Sequence, residues 1–158
     1  MTSVSSTGGV TGMRAVLARA MPGIVGGLIG GIAFGVLMQV EGMLPMVAAL
    51  IDQSAVGVGW VVHLVISAGL GLGYAIITGP LVKGVGSGLV TGAVWGVIWW
   101  VLGALILMPT FLGMGEMVFV VEAMQWKSLM GHLIFGLVLG GFFGIMAPKM
   151  LRQAAEKR

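Results

Sequence analysis

The sequence predicts an all-α polytopic membrane protein with four transmembrane helices, and three observations carry this prediction. Of its 158 residues, 58% are hydrophobic and only 8% are charged, too few to cover the surface of a water-soluble domain. The charges are also clustered, and the gaps between them match the roughly 20 residues that a helix needs to cross a bilayer. Finally, the two halves of the chain resemble each other, which predicts a duplicated two-helix hairpin.

Four uncharged segments are long enough to span the membrane. They are residues 21–40, 58–78, 85–108 and 129–147. A cleaved signal peptide is the alternative for the first segment, because a basic flank precedes it. Its length is that of a full span, and a second copy of it occurs later in the chain. We therefore expect it to be the first of four spans.

The basic residues predict the orientation. Most of them flank the cytoplasmic ends of the predicted spans: Arg14, Arg19, Lys83, Lys149, Arg152, Lys157 and Arg158. Only Lys127 falls on the other side. Because Lys and Arg in short flanks stay in the cytoplasm, both termini are predicted to be cytoplasmic. The segments are then a tail (1–20), two hairpins (21–82 and 83–150, the second with a longer outer loop) and a tail (151–158).

An internal repeat relates the two hairpins. The first span has glycines at positions 23, 27, 31 and 35, and the third has them at 84, 88, 92 and 96, an offset of 61. In the second and fourth spans, His63, Gly71 and Tyr74 correspond to His132, Gly140 and Phe143 at an offset of 69. Two copies of the same topology predict a parallel repeat, with a pseudo-two-fold axis along the membrane normal.

The glycine strips and the prolines predict how the spans pack and end. A strip of four glycines lets another backbone approach closely, and we expect the first and third spans to pack together. Pore lining or sliding is the alternative, although the spans lack the ionisable groups of most ion pathways. Prolines are expected to end the spans, since they stop helices: Pro45 and Pro109 for the first and third, Pro80 and Pro148 for the second and fourth.

The candidate site is a histidine pair near the outer ends of the second and fourth spans. His63 and His132 are the two histidines of the chain. With helical spacing, His63 shares a polar stripe with Ser67 and Tyr74, and His132 shares a stripe with Gly136. An unpaired imidazole facing lipid costs several kcal/mol, so both should face inward. In the simplest interpretation, each only donates a hydrogen bond to a carbonyl.

Three cofactor hypotheses follow from this pair. One haem b held between His63 and His132 would use the stripe residues Ser67, Tyr74 and Gly136. Copper is the alternative, because thioether and imidazole ligands suit Cu(I). Eight of the thirteen methionines fall in the outer half, including two Met-x-x-Met pairs, Met43 with Met46 and Met114 with Met117. The third hypothesis is no cofactor, and a quinone or pigment pocket is left open. The absence of cysteine excludes thiolate sites and disulfides.

The outer loops are expected to contact the membrane surface and a partner. Trp60 and Trp126 fit the aromatic belt, and residues 110–128 predict a short helix lying on the outer surface. The expected partners are the lipid bilayer and a protein that docks on the outer loops or glycine strips. Nucleic acid is not expected.

The segment from His132 to Gly144, His-Leu-Ile-Phe-Gly-Leu-Val-Leu-Gly-Gly-Phe-Phe-Gly, resembles the last helix of the YagU-like inner-membrane proteins, small four-helix proteins of unknown function. The likeness extends to its copy from His63 to Tyr74. It implies the fold and a bacterial or archaeal inner membrane, but no chemistry. The expected function is a non-enzymatic membrane subunit that binds one haem b or metal ion, accessory to an electron-transfer or metal-handling complex. The alternatives are a glycine-zipper channel or small transporter, or a purely structural scaffold.

Overall fold

The structure, a computed structural model, describes residues 7–156 and is helical, with no strand in that range. Its helices are α1 (Thr7–Val40), α2 (Leu44–Ala48), α3 (Val56–Ile77), α4 (Val85–Trp99), α5 (Met108–Phe111) and α6 (Ala123–Glu156). A π-helix, Trp100–Leu107, joins α4 to α5 without a break. Single 3-10 turns occur at Ala49–Ile51, Gly79–Leu81 and Gly115–Met117.

Four helical stretches are long and apolar enough to cross a membrane, which confirms the predicted all-α fold class with four spans. They are Met13–Val40, Val56–Ile77, Val85–Phe111 and Ala123–Glu156. Their outward faces carry large apolar side chains; Ile32, Val61 and Val90 are each more than half exposed. Such faces are stable against hydrocarbon rather than water, which indicates a multi-pass membrane protein in contact with the lipid bilayer.

The glycine strips pack within each hairpin, so the predicted packing of the first span on the third was wrong. The strip of α1 lies against α3, where a Cβ built on Gly27 would meet the backbone of Ser67 and Gly71. The strip of α4 lies against α6 in the same way, with Gly92 facing the Gly136 carbonyl. The reason is that α3 and α6 present small residues of their own, so both backbones can approach closely.

A second face of α1, which includes Gly30, packs on α6 and joins the two hairpins. Gly30 lies against the Phe135 backbone, and the Phe34 ring fills the space over Gly131. The backbones of α3 and α4 make no comparable approach. The bundle is therefore open along one side, between α3 and α4.

We use inner half as a label for the half of the bundle that contains the described start of α1 and the described end of α6, and outer half for the other. In the inner half, large side chains fill this opening. Tyr74 is fully buried and packs edge to face on Trp95 and Phe143, at ring-centroid distances of 5.9 and 5.3 Å. Its hydroxyl lies 2.6 Å from the Thr91 hydroxyl and donates to the Gly88 carbonyl at 3.2 Å. The inner half is thus a packed core, and the outer half remains open.

The contacts follow the sequence repeat only in part, and the duplication stays a prediction. Both hairpins interleave small residues, but Gly27 faces Ser67 whereas its counterpart Gly88 faces Gly140. Under the two offsets, Ser67 corresponds to Gly136, which lies four residues before Gly140. The two helices of the second hairpin are therefore displaced along each other by one helical turn, compared with those of the first. A two-fold axis that exchanges the hairpins would relate the α3–α4 side to the α1–α6 side. The first side is open and the second is closed, which also departs from two-fold symmetry.

Several predicted boundaries were wrong. Pro148 lies inside α6, and Pro45 lies in the first turn of α2, where a missing N–H costs little. Pro109 lies in α5, which continues the π-helix, and the Leu105 carbonyl one turn before it accepts a hydrogen bond from the Phe119 N–H at 3.1 Å. Pro80 follows the end of α3 as predicted. The predicted helix on the outer surface is absent from residues 110–128, which instead contain the ends of α5 and α6 and one 3-10 turn.

The predicted tails are helical where they are described. Helix α1 begins at Thr7 and α6 continues to Glu156, because helices do not stop where the hydrocarbon stops: water satisfies the backbone beyond it. Residues 1–6 and 157–158 of those tails lie outside the described part of the chain.

Candidate ligand cavity

The open side of the bundle forms a cavity of about 350 Å³ in the outer half. Three walls enclose it: Ile66 and Leu70 of α3 on one side, Gly103 and Leu107 of the π-helix opposite, and Phe135 of α6 behind. The lining is almost entirely apolar. Its side-chain polar groups belong to His63, Ser67, Gln125, Ser128 and His132, together with the Trp99 indole.

The short helix α2 covers the outer end of this cavity. Leu44 and Ala48 are fully buried, and the backbone of Leu44 lies directly against Gly59 of α3. This packing directs Met43 and Met46 towards the cavity, where both contribute to the lining. The chain turns back between α1 and α2 because α1 ends at Val40 and Gly42 adopts a positive φ of 69°, a conformation that favours glycine.

The π-helix shapes the opposite wall. Gly103, Ala104 and Leu107 all line the cavity and all lie in the π-helical stretch. Trp100 ties this stretch to α6, because its indole N–H donates to the Gln125 carbonyl at 2.9 Å. π-helical segments are rare and occur frequently at functional sites, where they change the direction of side chains.

Both candidate histidines line the cavity, but they are held differently. His63 is buried and donates from Nε2 to the Gly31 carbonyl across the helix interface at 2.9 Å. His132 is half-buried and donates from Nδ1 to the Ser128 carbonyl of its own helix at 2.8 Å. A carbonyl only accepts, so these bonds fix the tautomers. In a neutral imidazole, Nδ1 of His63 and Nε2 of His132 then carry free lone pairs.

Phe34 packs against both imidazoles. Its ring centroid lies 5.4 Å from that of His63 and 4.8 Å from that of His132. The sum of these two distances limits the separation of the imidazole centroids to about 10 Å. The two histidines are therefore neighbours on one cavity, and the apolar Phe34 ring contacts both of them.

The other predicted site residues divide into two groups. Ser67, Met43 and Met46 line the cavity with the histidines. Tyr74 lies outside it, in the inner core, and Gly136 is used for backbone contact with Gly92. Met114 and Met117 belong to the outer loop around the 3-10 turn and do not line the cavity.

Sequence reasoning missed several lining residues. Phe34, Trp99, Gln125 and Ser128 carry no distinctive pattern. The Trp99 indole N–H is buried and has no hydrogen-bond acceptor within the described chain. The only available signal was helical spacing, because Ser128 lies one turn before His132 and Trp99 one turn before Gly103.

Comparisons of the chain with protein-family models, curated proteins and solved structures found no match. Fold and cavity alone define its class: a helical, multi-pass membrane protein with a histidine-lined cavity in one half of the bundle. Within residues 7–156, no three residues among His, Asp and Glu come together as a metal-binding group.

Proposed function

We propose that this chain is a non-enzymatic membrane subunit that binds one lipophilic molecule with a hydroxylated head group, such as a hydroquinone. The observation that carries the proposal is the apolar cavity of about 350 Å³ that both histidines line. Cavities of this size, with a largely apolar lining and a few polar groups, are typical of sites for small organic molecules.

The two imidazoles supply the polar recognition. His63 and His132 each keep one nitrogen that accepts a hydrogen bond. A ligand hydroxyl would donate to these atoms, whereas an ether or a hydrocarbon would not. Because a buried polar group that loses its partner costs about 1–3 kcal/mol, the histidines favour a molecule that carries donors.

The surroundings of the cavity favour a ligand that arrives from the bilayer. Ile66, Leu107 and Phe111 line the cavity and are each at least 40% exposed. They belong to the apolar outward surface, so the opening between α3 and the π-helix faces hydrocarbon. Orientation with both termini cytoplasmic, in an inner membrane, forms part of the proposal and is supported by the basic flanks.

Haem b between the histidines is supported less well. One iron would need a nitrogen from each imidazole on opposite sides of a porphyrin, but Phe34 packs on both rings. In addition, Nε2 of His63 already donates to the Gly31 carbonyl. A haem would require Phe34 to leave and this hydrogen bond to break.

The channel and scaffold alternatives also have less support. The glycine strips lie in direct backbone contact within each hairpin, so sliding would remove the packing that holds the helix pairs together. A pure scaffold gives no reason for two histidines on an open cavity.

A matched pair of probes tests the proposal. Decylhydroquinone and its dimethyl ether have the same chain and ring, and only the first donates hydrogen bonds. In a scintillation-proximity assay on the purified protein, we expect the hydroquinone to bind about tenfold more tightly, as one or two hydrogen bonds provide. Replacing both histidines by alanine should abolish this preference.

A variant whose new side chain fills the cavity, together with a matched control variant, completes the test. Gly103 lines the cavity and has open space around a built Cβ, so Gly103→Phe should fill the cavity. Gly69 also has open space but does not line it, so Gly69→Phe should bind as the wild type does. Equal affinity for the two probes, or undiminished binding by Gly103→Phe, would contradict the proposal.

Copper is a second candidate, and a specific observation favours it. The cavity brings Met43 and Met46 together with His63 and His132, a ligand set that suits Cu(I). Competition with bicinchoninate would measure Cu(I) affinity. If copper is the ligand, replacing Met43 and Met46 by leucine should weaken binding, and the same change at Met114 and Met117, which lie outside the cavity, should not.

A further inference from the structure

Helix α6 carries a row of three polar side chains along the cavity. Gln125, Ser128 and His132 all line it, and their spacing of three and four residues places them on one side of the helix. In the function proposed for the cavity, only the histidines recognise the ligand, by accepting hydrogen bonds from its hydroxyl groups. Gln125 and Ser128 are therefore free to select among the molecules that the histidines admit.

Gln125 is a hydrogen-bond donor that is held in place. Its Oε1 accepts the Glu122 N–H at 3.1 Å. Because a backbone N–H only donates, this contact identifies the amide oxygen and leaves the NH₂ group for other partners. The Gln125 carbonyl also accepts the Trp100 indole N–H at 2.9 Å, which ties this residue to the π-helix. Since both its backbone and its side chain are held, little freedom is lost when the amide binds a ligand.

Ser128 adds a second donor one turn further in. The Nδ1–H of His132 donates to the Ser128 carbonyl at 2.8 Å, and the Ser128 Oγ lies 3.4 Å from the same nitrogen. Because Nδ1 carries the hydrogen, the hydroxyl cannot donate to it, and the hydroxyl hydrogen is left for another acceptor. From its outer end inwards, the row on α6 therefore offers two donors and then one acceptor, Nε2 of His132.

The spacing of this row matches the oxygen atoms of one aromatic ring. Gln125 and His132 are seven residues apart, about 10 Å along the helix axis, and both side chains lean towards the start of α6. Two hydrogen bonds of about 2.9 Å then leave roughly 5 Å between the ligand atoms that would make them. Oxygens at two positions of a single ring span such a distance, and an oxygen between them would lie near Ser128.

We propose that the cavity selects hydroquinones whose ring carries alkoxy oxygens beside a hydroxyl group, and that Gln125 recognises these oxygens. This inference rests on the function proposed for the cavity. The hydroxyl would donate to Nε2 of His132, and the alkoxy oxygens would accept from the Ser128 hydroxyl and the Gln125 NH₂ group. Methyl groups at the same ring positions would occupy similar space but would leave both donors without a partner, which lowers affinity.

Two decylhydroquinones that differ only in their ring substituents test this selection. One carries two adjacent methoxy groups, and the other carries two adjacent methyl groups. In a scintillation-proximity assay on the purified full-length protein, we expect the dimethoxy compound to bind about tenfold more tightly, as one or two hydrogen bonds provide. Gln125→Met has a side chain of similar length without a donor, and should reduce this preference about fivefold. Gln53 is exposed and lies outside the cavity, so Gln53→Met should keep the preference.

Equal affinity of the wild type for the two compounds, or a preference that Gln125→Met leaves unchanged, would overturn the inference. If Gln125→Met does not fold, as judged by far-UV circular dichroism, Ser128→Ala decides, because it removes the second donor and should also reduce the preference about fivefold. The proposed function would fail differently: neither compound would bind, or Gly103→Phe would bind both as the wild type does. Equal binding of both compounds that Gly103→Phe abolishes overturns only the selection by Gln125.

Discussion

Gly92→Ala should destabilise the protein, although it adds only one methyl group. The new Cβ would meet the Gly136 carbonyl oxygen far inside contact distance, and the Gly140 Cα at 3.0 Å. Both are backbone atoms, so neither can rotate away and α4 must move from α6. A separation of about 1 Å forfeits a quarter to a half of each dispersion contact. Overpacking of this kind costs about 1–3 kcal/mol.

The free energy of unfolding, measured by circular dichroism during titration of mixed micelles with dodecyl sulfate, tests this value. Gly69→Ala is the matched control, because a Cβ there meets nothing within 4 Å and alanine is the better helix former by about 1 kcal/mol. Gly136→Ala adds a methyl group to the same contact between α4 and α6. The double variant should therefore lose less free energy of unfolding than the two single variants lose together. A Gly92→Ala protein as stable as the Gly69→Ala protein would refute the packing described for α4 and α6.

Three further predictions concern other contacts. Tyr74→Phe removes the hydroxyl that bonds Thr91 and the Gly88 carbonyl, and should lower the free energy of unfolding by about 0.5–1.5 kcal/mol; an unchanged value would contradict the bridge between α3 and α4. Glu41→Gln breaks a partly exposed ion pair with Lys127, and should change stability by less than about 1 kcal/mol, with no difference left in 1 M salt. Gly131→Ala displaces the Phe34 ring and should weaken decylhydroquinone binding; wild-type affinity would show that Phe34 does not shape the cavity.

The sequence predicted the number and place of the spans well, because burial in hydrocarbon leaves a strong compositional signal. The first span was predicted to end at residue 40, where α1 does end. Helix ends outside the bilayer were predicted less well. The charges mark where hydrocarbon stops, whereas α6 continues past Pro148 to Glu156 because nothing in the aqueous region requires it to stop.

The packing partners were harder to predict than the packing surface. A glycine strip indicates close approach but not which helix approaches. The complementary small residues, Ser67 and Gly71 on α3 and Gly136 and Gly140 on α6, were the signal that could have identified the neighbour. Ser67 and Gly136 were predicted as site residues instead, and only Ser67 lines the cavity.

Both histidines line one cavity, but the surroundings of the pair could not be predicted from the sequence. Helix rotation decides that Phe34 of α1 packs between the two imidazoles, and no periodicity in the sequence indicates this. The π-helix is similarly unpredictable, because Trp100–Leu107 has the composition of an ordinary apolar helix.

Native mass spectrometry of the protein released from bacterial membranes in mild detergent is the most direct test of the cavity. We expect one lipophilic molecule of uniform mass bound to the wild-type protein and to Gly69→Phe, and none bound to Gly103→Phe, whose new side chain occupies the cavity. A wild-type protein without any bound molecule, or the same adduct on all three proteins, would contradict the account.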